Sequence, residues 1–234
     1  MLRGGSLGSP PDKPNTPMND ILVLAAHPAL AHSRVNRALI QAAKTLPGVH
    51  LRDLYALYPD YLIDVAAEQS ALQAARLVVW LHPVQWYAMP ALMKLWLDEV
   101  FSFGWAYGPG GTQLQGKSLW LVLSTGGPLD SYQPEGHNRH ALDDFLLPYR
   151  QTAHLAGMQL LPALVLHGAH SADEVAIASH VRHFVELLHG GHVGHRAAPD
   201  DPPGAATDSA VPASCRPFTP GLGAAATPVA QGGV

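Results

Sequence analysis

Three short segments carry side chains whose types and spacing can do chemistry. In the first, His27 and Pro28 leave an apolar run, and Ser33, Arg34, Val35 and Asn36 then open a helix-length stretch. A hydroxyl, a carboxamide and unpaired backbone N–H groups gather there, a setting that attracts a phosphate-like anion. The same residues also suit an ordinary capped helix with Ser33 as the cap. In the second segment, HPVQWYAMP (His82 to Pro90), Val84, Gln85, Trp86 and Tyr87 follow another apolar run. Their indole and phenol can wall a flat heteroaromatic ring while backbone amides and the Gln85 side chain meet its polar atoms. The two aromatics equally suit anchors in a core or a subunit interface. In the third, Ser124, Thr125, Gly126 and Gly127 end a run, and the two glycines either let backbone approach a ligand closely or make a tight turn. Beyond them Tyr132 and His137 can steady negative charge on a reduced ring, or simply face solvent.

The elements that must position these segments follow from periodicity. The runs Ile21 to Ala26, Leu77 to Pro83, Ser118 to Thr125 and Leu161 to Gly168 are apolar on both faces, as parallel strands covered by helices are. Val49 to Leu54 alternates instead and reads as a half-exposed edge strand. Helix-length stretches lie at Ser33 to Thr45, Asp64 to Ala75, Pro90 to Phe103, His140 to Ala156 and Ala172 to Leu188, with Ser33, Asp64 and Ser171 as N-caps. After Pro90, residues Leu92, Leu95, Trp96, Val100 and Phe103 keep helical spacing and should pack on the sheet or on a partner. Such alternation predicts an α/β fold, a three-layer sandwich around a five-stranded parallel sheet with right-handed crossovers. Ligands in such sheets bind beyond the carboxyl ends of the strands, where all three segments fall.

Composition narrows the classes. A chain of 234 residues, 47% hydrophobic and 14% charged, can bury one substantial core. A formal charge of -4 without any basic run argues against nucleic acid as a partner. Cys215 is the only cysteine, which leaves no disulfide framework and no CxxC pair and points to the cytoplasm. Residues 1–18 read as a disordered leader or an upstream extension of the start, 19–189 as the folded domain, and the Gly/Ala/Pro-rich residues 190–234 as a disordered tail. His180 with His183, and His189, His192 and His195, are incomplete ligand sets, so no metal is expected. Neither a GxxxxGK[ST] nor a GxGxxG loop is present.

Four ordered blocks then resemble the flavodoxin-like NAD(P)H:quinone oxidoreductases: AHPxxxxSxxN from Ala26, HPVQWYAMPALMKLWLDEVF from His82, GWAYGPGGTQLQGK from Gly104, and STGG from Ser124. Within that family LYALYPDYLIDVAAEQSAL (Leu54 to Leu72) and WAYGPGGTQLQGK most resemble the ancillary proteins of bacterial glutathione-regulated potassium-efflux systems. The resemblance implies an FMN site, an isoalloxazine being the flat ring. His27 and Ser33 to Asn36 would hold the phosphate and ribityl end, Val84, Gln85, Trp86 and Tyr87 would line the ring, and Ser124, Thr125, Gly126 and Gly127 would close over it. FMN is preferred to FAD because contacts to an adenosine half have no equivalent here. NAD(P)H would be the co-substrate, a quinone the acceptor, and Tyr132 and His137 the catalytic pair. Ser124 stands where the family commonly has Thr. The resemblance also implies a homodimer, with Trp96, Phe101 and Phe103 at its interface, and a place in the cytoplasm or peripheral at the inner membrane face beside a potassium/proton antiporter. The alternative is a regulatory subunit of that antiporter with incidental redox activity. A flavodoxin-type electron carrier fits less well, since HPALAHSRVN is not a Ser/Thr/Gly-rich phosphate loop.

Overall fold

The computed structural model describes residues 20–189, and the expected leader and tail lie outside them, as do Cys215, His192 and His195. Strand β1 (Ile21–Ala25) leads to α1 (Arg34–Lys44), β2 (Val49–Asp53), the short α2 (Leu54–Leu57) and α3 (Val65–Ala74). Then come β3 (Leu77–Pro83), α4 (Ala91–Val100), β4 (Ser118–Ser124), α5 (Leu142–Phe145) and α6 (Leu147–Leu155). Two short strands, β5 (Gln159–Leu160) and β6 (Leu164–Leu166), and α7 (Glu174–His189) complete the chain. All pairings are parallel, in the order β2-β1-β3-β4-β5, with β6 also on β4.

Alternation within the strands builds the layers. Leu22 and Leu24 of β1 join Val78, Trp80, Leu92, Trp96 and Tyr149 in one buried cluster. Val23 and Ala25 turn the other way, to Val35, Leu39, Ile40, Ile177 and Phe184 of α1 and α7. The sheet thus separates two cores, as a sandwich of helix, sheet and helix requires. The half-buried β2 sits at the sheet edge, as its alternation predicts.

Four expectations need correction. The fifth strand is interrupted, because Pro162 has no N–H for the ladder; β5 and β6 pair with β4 on either side of it, and the freed Pro162 carbonyl accepts the Trp120 indole N–H at 3.0 Å. The expected helix from His140 to Ala156 is two helices, with Leu146 between them and Pro148 in the first turn of α6. Ser171 does not cap α7: its hydroxyl turns back to the Gly168 carbonyl, and Asp173 accepts the Ala176 N–H at 2.7 Å. Trp96 and Phe101 are not interface residues, for Trp96 is 0% exposed and Phe101 7%, whereas Phe103 is 51% exposed. Trp96 is held inside by its N–H bond to Glu68 at 3.0 Å. Ser33 and Asp64 do cap α1 and α3, each accepting a first-turn amide.

One core group makes the fold sensitive to acid. His82 in β3 is fully buried, its ring stacked 5.8 Å from Tyr149 and its Nδ1 2.9 Å from the Pro83 carbonyl. Burial pushes its pKa down from 6.5 to about 4. Unfolded chain takes up the proton near 6.5 and folded chain does not, so the contribution is intact above that pH. It is lost as the pH falls towards 4, at about 1.4 kcal/mol per pH unit. His180 on α7, also pushed down to about 4 by burial and by His183, acts in the same direction. The urea midpoint is expected to drop between pH 7 and pH 5. Phenylalanine at position 82 keeps the stack and should flatten that slope; an unchanged slope in His82→Phe would exonerate the residue.

Candidate functional site

The chain crosses from β2 on one side of β1 to β3 on the other, so the carboxyl ends of β1 and β3 flank the point where the strand order reverses. Two adjoining cavities open there. One, about 460 Å³, is lined by His27, Ser33, Arg34, Val35, Asn36, Gln85, Ser124 and Thr125 among others. The second, about 320 Å³, is lined by Trp86, Tyr87, Gly127, Tyr132 and His137, with Ser131 and Asn138. Val84 and Gly126 line both and join them. Every residue singled out in the three loops, together with Tyr132 and His137, therefore reaches one continuous depression.

At the larger end, the Ser33 hydroxyl accepts the Asn36 amide at 3.1 Å, and the Arg34 and Val35 amides have no acceptor among the described residues. Those amides sit at the positive end of an eleven-residue helix, a setting for a phosphate. His27 Nδ1 accepts the Ala29 amide at 3.1 Å, which places its hydrogen on Nε2. Burial, its largest influence, lowers the His27 pKa. The Arg34 guanidinium turns away, to the Ala172 carbonyl at 2.7 Å and Glu174 at 2.6 Å, so Arg34 serves the cavity through its backbone.

Asn36 is buried, and its Nδ2 donates to Ser124 Oγ at 2.9 Å and to Ser33 Oγ at 3.2 Å. Its Oδ1 is buried without a partner, an orphan acceptor next to the anion end. A polyol hydroxyl satisfies such an atom and a phosphate does not. Phosphate donors beside an acceptor for a hydroxylated chain are what a phosphorylated polyol such as the FMN side chain needs, so the residues present fit that group.

The ring end is built on a strained turn. Gln85 and Ala88 exchange both backbone hydrogen bonds, at 2.9 and 3.0 Å, around Trp86 at φ 47° and Tyr87 at φ 62°. This is the geometry of a type I′ turn, which favours Asn-Gly and disfavours bulky aromatics. Trp86 is 95% exposed and gains nothing from burial. Tyr87 stacks on Phe145 at 4.9 Å. The Trp86, Tyr87, Gly126 and Gly127 amides have no acceptor among the described residues. A Cβ on Gly126 would meet the His170 ring at 3.1 Å. Tyr132 is buried, so a solvated-loop reading applies only to His137, which is exposed. Burial pushes the Tyr132 phenol up, which keeps it protonated and a hydrogen-bond donor.

The loop after β6 was missed by the sequence reading. It brings Ala169 and His170 to the larger cavity and sets His167 against Thr125 and Tyr132. The signal was available, since HGAH follows an apolar run just as HPAL and HPVQ do.

A five-position parallel sheet with strand order 2-1-3-4-5, carrying a cavity over its reversal point, defines the flavodoxin-like class of α/β proteins. The chain belongs to this family: the family model described as having a flavodoxin-like fold matches residues 19–188. Three solved structures are similar to it. One, described as a thermophilic tryptophan halogenase from Streptomycin violaceusniger, is 40% identical, with 71% of this chain and 97% of that one covered and a TM-score of 0.69. General stress protein 14 from Treponema denticola, in complex with FMN, is 32% identical over 72% of this chain and 95% of that one, with a TM-score of 0.66. An NADPH-quinone reductase from P. pentosaceus is 25% identical over 72% and 96%, also with a TM-score of 0.66.

Proposed function

We propose that this protein is an FMN-dependent NAD(P)H:quinone oxidoreductase. The observation that carries the reading is the joined pair of cavities. One end offers the Arg34 and Val35 amides and the orphan Asn36 Oδ1; the other offers four unpaired amides beside a phenol and an imidazole. The FMN complex and the quinone reductase among the similar structures support it.

FMN, when bound, supplies hydride uptake from a nicotinamide and hydride return to a quinone at ring N5. The chain supplies the rest. Arg34 and Val35 amides and the α1 dipole hold the phosphate, and Asn36 Oδ1 takes a ribityl hydroxyl. Trp86 and Tyr87 wall the ring and narrow the approach. Gly126 and Gly127 amides, the Tyr132 phenol and His137 would supply hydrogen-bond donors to the polar edge of the ring and would favour negative charge there. Such donors suit hydride transfer, and for that reason the reductase reading is preferred to the halogenase one.

The test is optical. Purified protein is expected to bind FMN and turn yellow, to bleach with NAD(P)H, and to regain colour with a quinone in a ping-pong pattern. A colourless preparation that takes up no FMN, or a yellow one that halogenates tryptophan and reduces no quinone, would overturn the proposal. Gln85→Ala with Trp86→Ala is expected to weaken FMN binding and turnover together.

The wider reading includes a homodimer, a cytoplasmic place and peripheral association with a potassium/proton antiporter. Exposed Phe103, Leu57, Tyr61 and Leu62 supply the apolar surface a second copy would cover. No helix among the described residues is long and apolar enough to cross a membrane. The antiporter role rests on the resemblance of Leu54 to Leu72 and Trp105 to Lys117. A flavin-free variant that binds the transporter without activating it would tie the two activities together, and unchanged activation would leave a regulatory subunit with incidental turnover.

A further inference from the structure

His167 stands just after β6, within the matched residues 19–188 but outside the sequence blocks on which the family resemblance was read. The Thr125 hydroxyl donates to the Gly127 carbonyl at 2.8 Å and lies 3.1 Å from His167 Nδ1. A hydroxyl has one hydrogen. With that hydrogen committed to Gly127, the contact to His167 is a hydrogen bond only if the imidazole carries its hydrogen on Nδ1 and donates to Thr125 Oγ1. The Gly127 carbonyl also accepts the Gly168 amide at 2.9 Å, so it is occupied twice.

Further bonds join the same two loops, from the Thr125 amide to the Leu166 carbonyl at 3.0 Å and from the Ala169 amide to the Thr125 carbonyl at 2.8 Å. The His167 ring also packs at 5.5 Å against Tyr132. What this frame restrains is a pair of glycines, the residues with most backbone freedom to lose, whose amides line the cavities without an acceptor.

We propose that His167 is a positioning residue: by donating its Nδ1–H to Thr125, it commits the Thr125 hydroxyl to the Gly127 carbonyl and so fixes the glycine pair that meets the FMN ring. The inference rests on the FMN reading for its consequence but not for its geometry, and two measurements separate them.

The first needs no flavin. Nitrogen-15 NMR of histidine-labelled protein, with the His167 signal assigned by its loss in His167→Asn, is expected to show the Nδ1–H tautomer; an Nε2–H tautomer overturns the proposal. The second compares variants by FMN titration. His167→Leu removes the donor and is expected to weaken FMN about tenfold, the worth of one hydrogen bond. His167→Asn places an N–H at the reach of Nδ1 and should restore affinity to within about threefold. Equal losses in both variants, with both folded by circular dichroism, would overturn the positioning role. If wild-type protein takes up no FMN at all, the functional reading fails and the tautomer alone decides the hydrogen-bond assignment.

Discussion

Replacing Glu68 with Gln is expected to lower the unfolding free energy by about 3–5 kcal/mol, the largest effect of any single substitution considered. Glu68 is 0% exposed and is met by three residues from three parts of the chain. Arg52 of β2 reaches it through Nε at 2.7 Å and Nη2 at 2.5 Å, Tyr58 through its hydroxyl at 2.5 Å, and Trp96 of α4 through Nε1 at 3.0 Å. Glutamine keeps the volume but removes the charge, leaving the Arg52 guanidinium, whose side chain is only 15% exposed, without its counter-ion. A buried charge stripped of its partner costs more than the pair contributed. Urea unfolding at pH 7 measures the loss. A loss below about 1 kcal/mol would mean that Arg52 swings out to water. Adding Arg52→Met to Glu68→Gln removes the unpaired charge while the glutamine carbonyl oxygen remains as an acceptor for Tyr58 and Trp96, and should recover part of the loss.

The second large effect has opposite signs in stability and in turnover. Trp86→Asn should stabilise the fold by about 1 kcal/mol, because a left-handed, solvent-exposed tryptophan gives way to the residue type I′ turns prefer. Nothing packs on that indole to be lost, since it is 95% exposed. Quinone turnover should nevertheless fall at least about tenfold, for the ring loses one wall and its orientation with it. A melting temperature that rises while activity falls marks strain retained for function. If both fall, the turn is structural; if activity survives, Trp86 is no part of the site.

Much of the fold was legible because apolar runs too short for helices and flanked by glycine or polar turns leave few alternatives. β3 is Leu77–Pro83 in the structure as in the sequence. The loops were legible for a related reason: Gln85, Trp86 and Tyr87, or two successive glycines, are costly at strand ends unless something needs them there. Less legible were features set by tertiary context. The run holding Pro162 reads as one strand, and that the proline splits it into two paired segments shows only once β4 is alongside. Ser171 and Asp173 are both good caps, and Gly168 decided between them by drawing the Ser171 hydroxyl away. Trp96 had the spacing of either a core or an interface residue, and a buried glutamate placed it inside. His167 escaped notice because its partner Thr125 lies 42 residues away in the chain.

The exposed turn has one more consequence, in how the protein emits light. Of its five tryptophans, Trp80, Trp96 and Trp120 are buried and Trp105 is half-buried, while Trp86 stands in water at the cavity rim. Red-shifted, iodide-quenchable fluorescence should therefore come chiefly from that one indole. Occupancy of the depression can then be followed by emission alone, without any label.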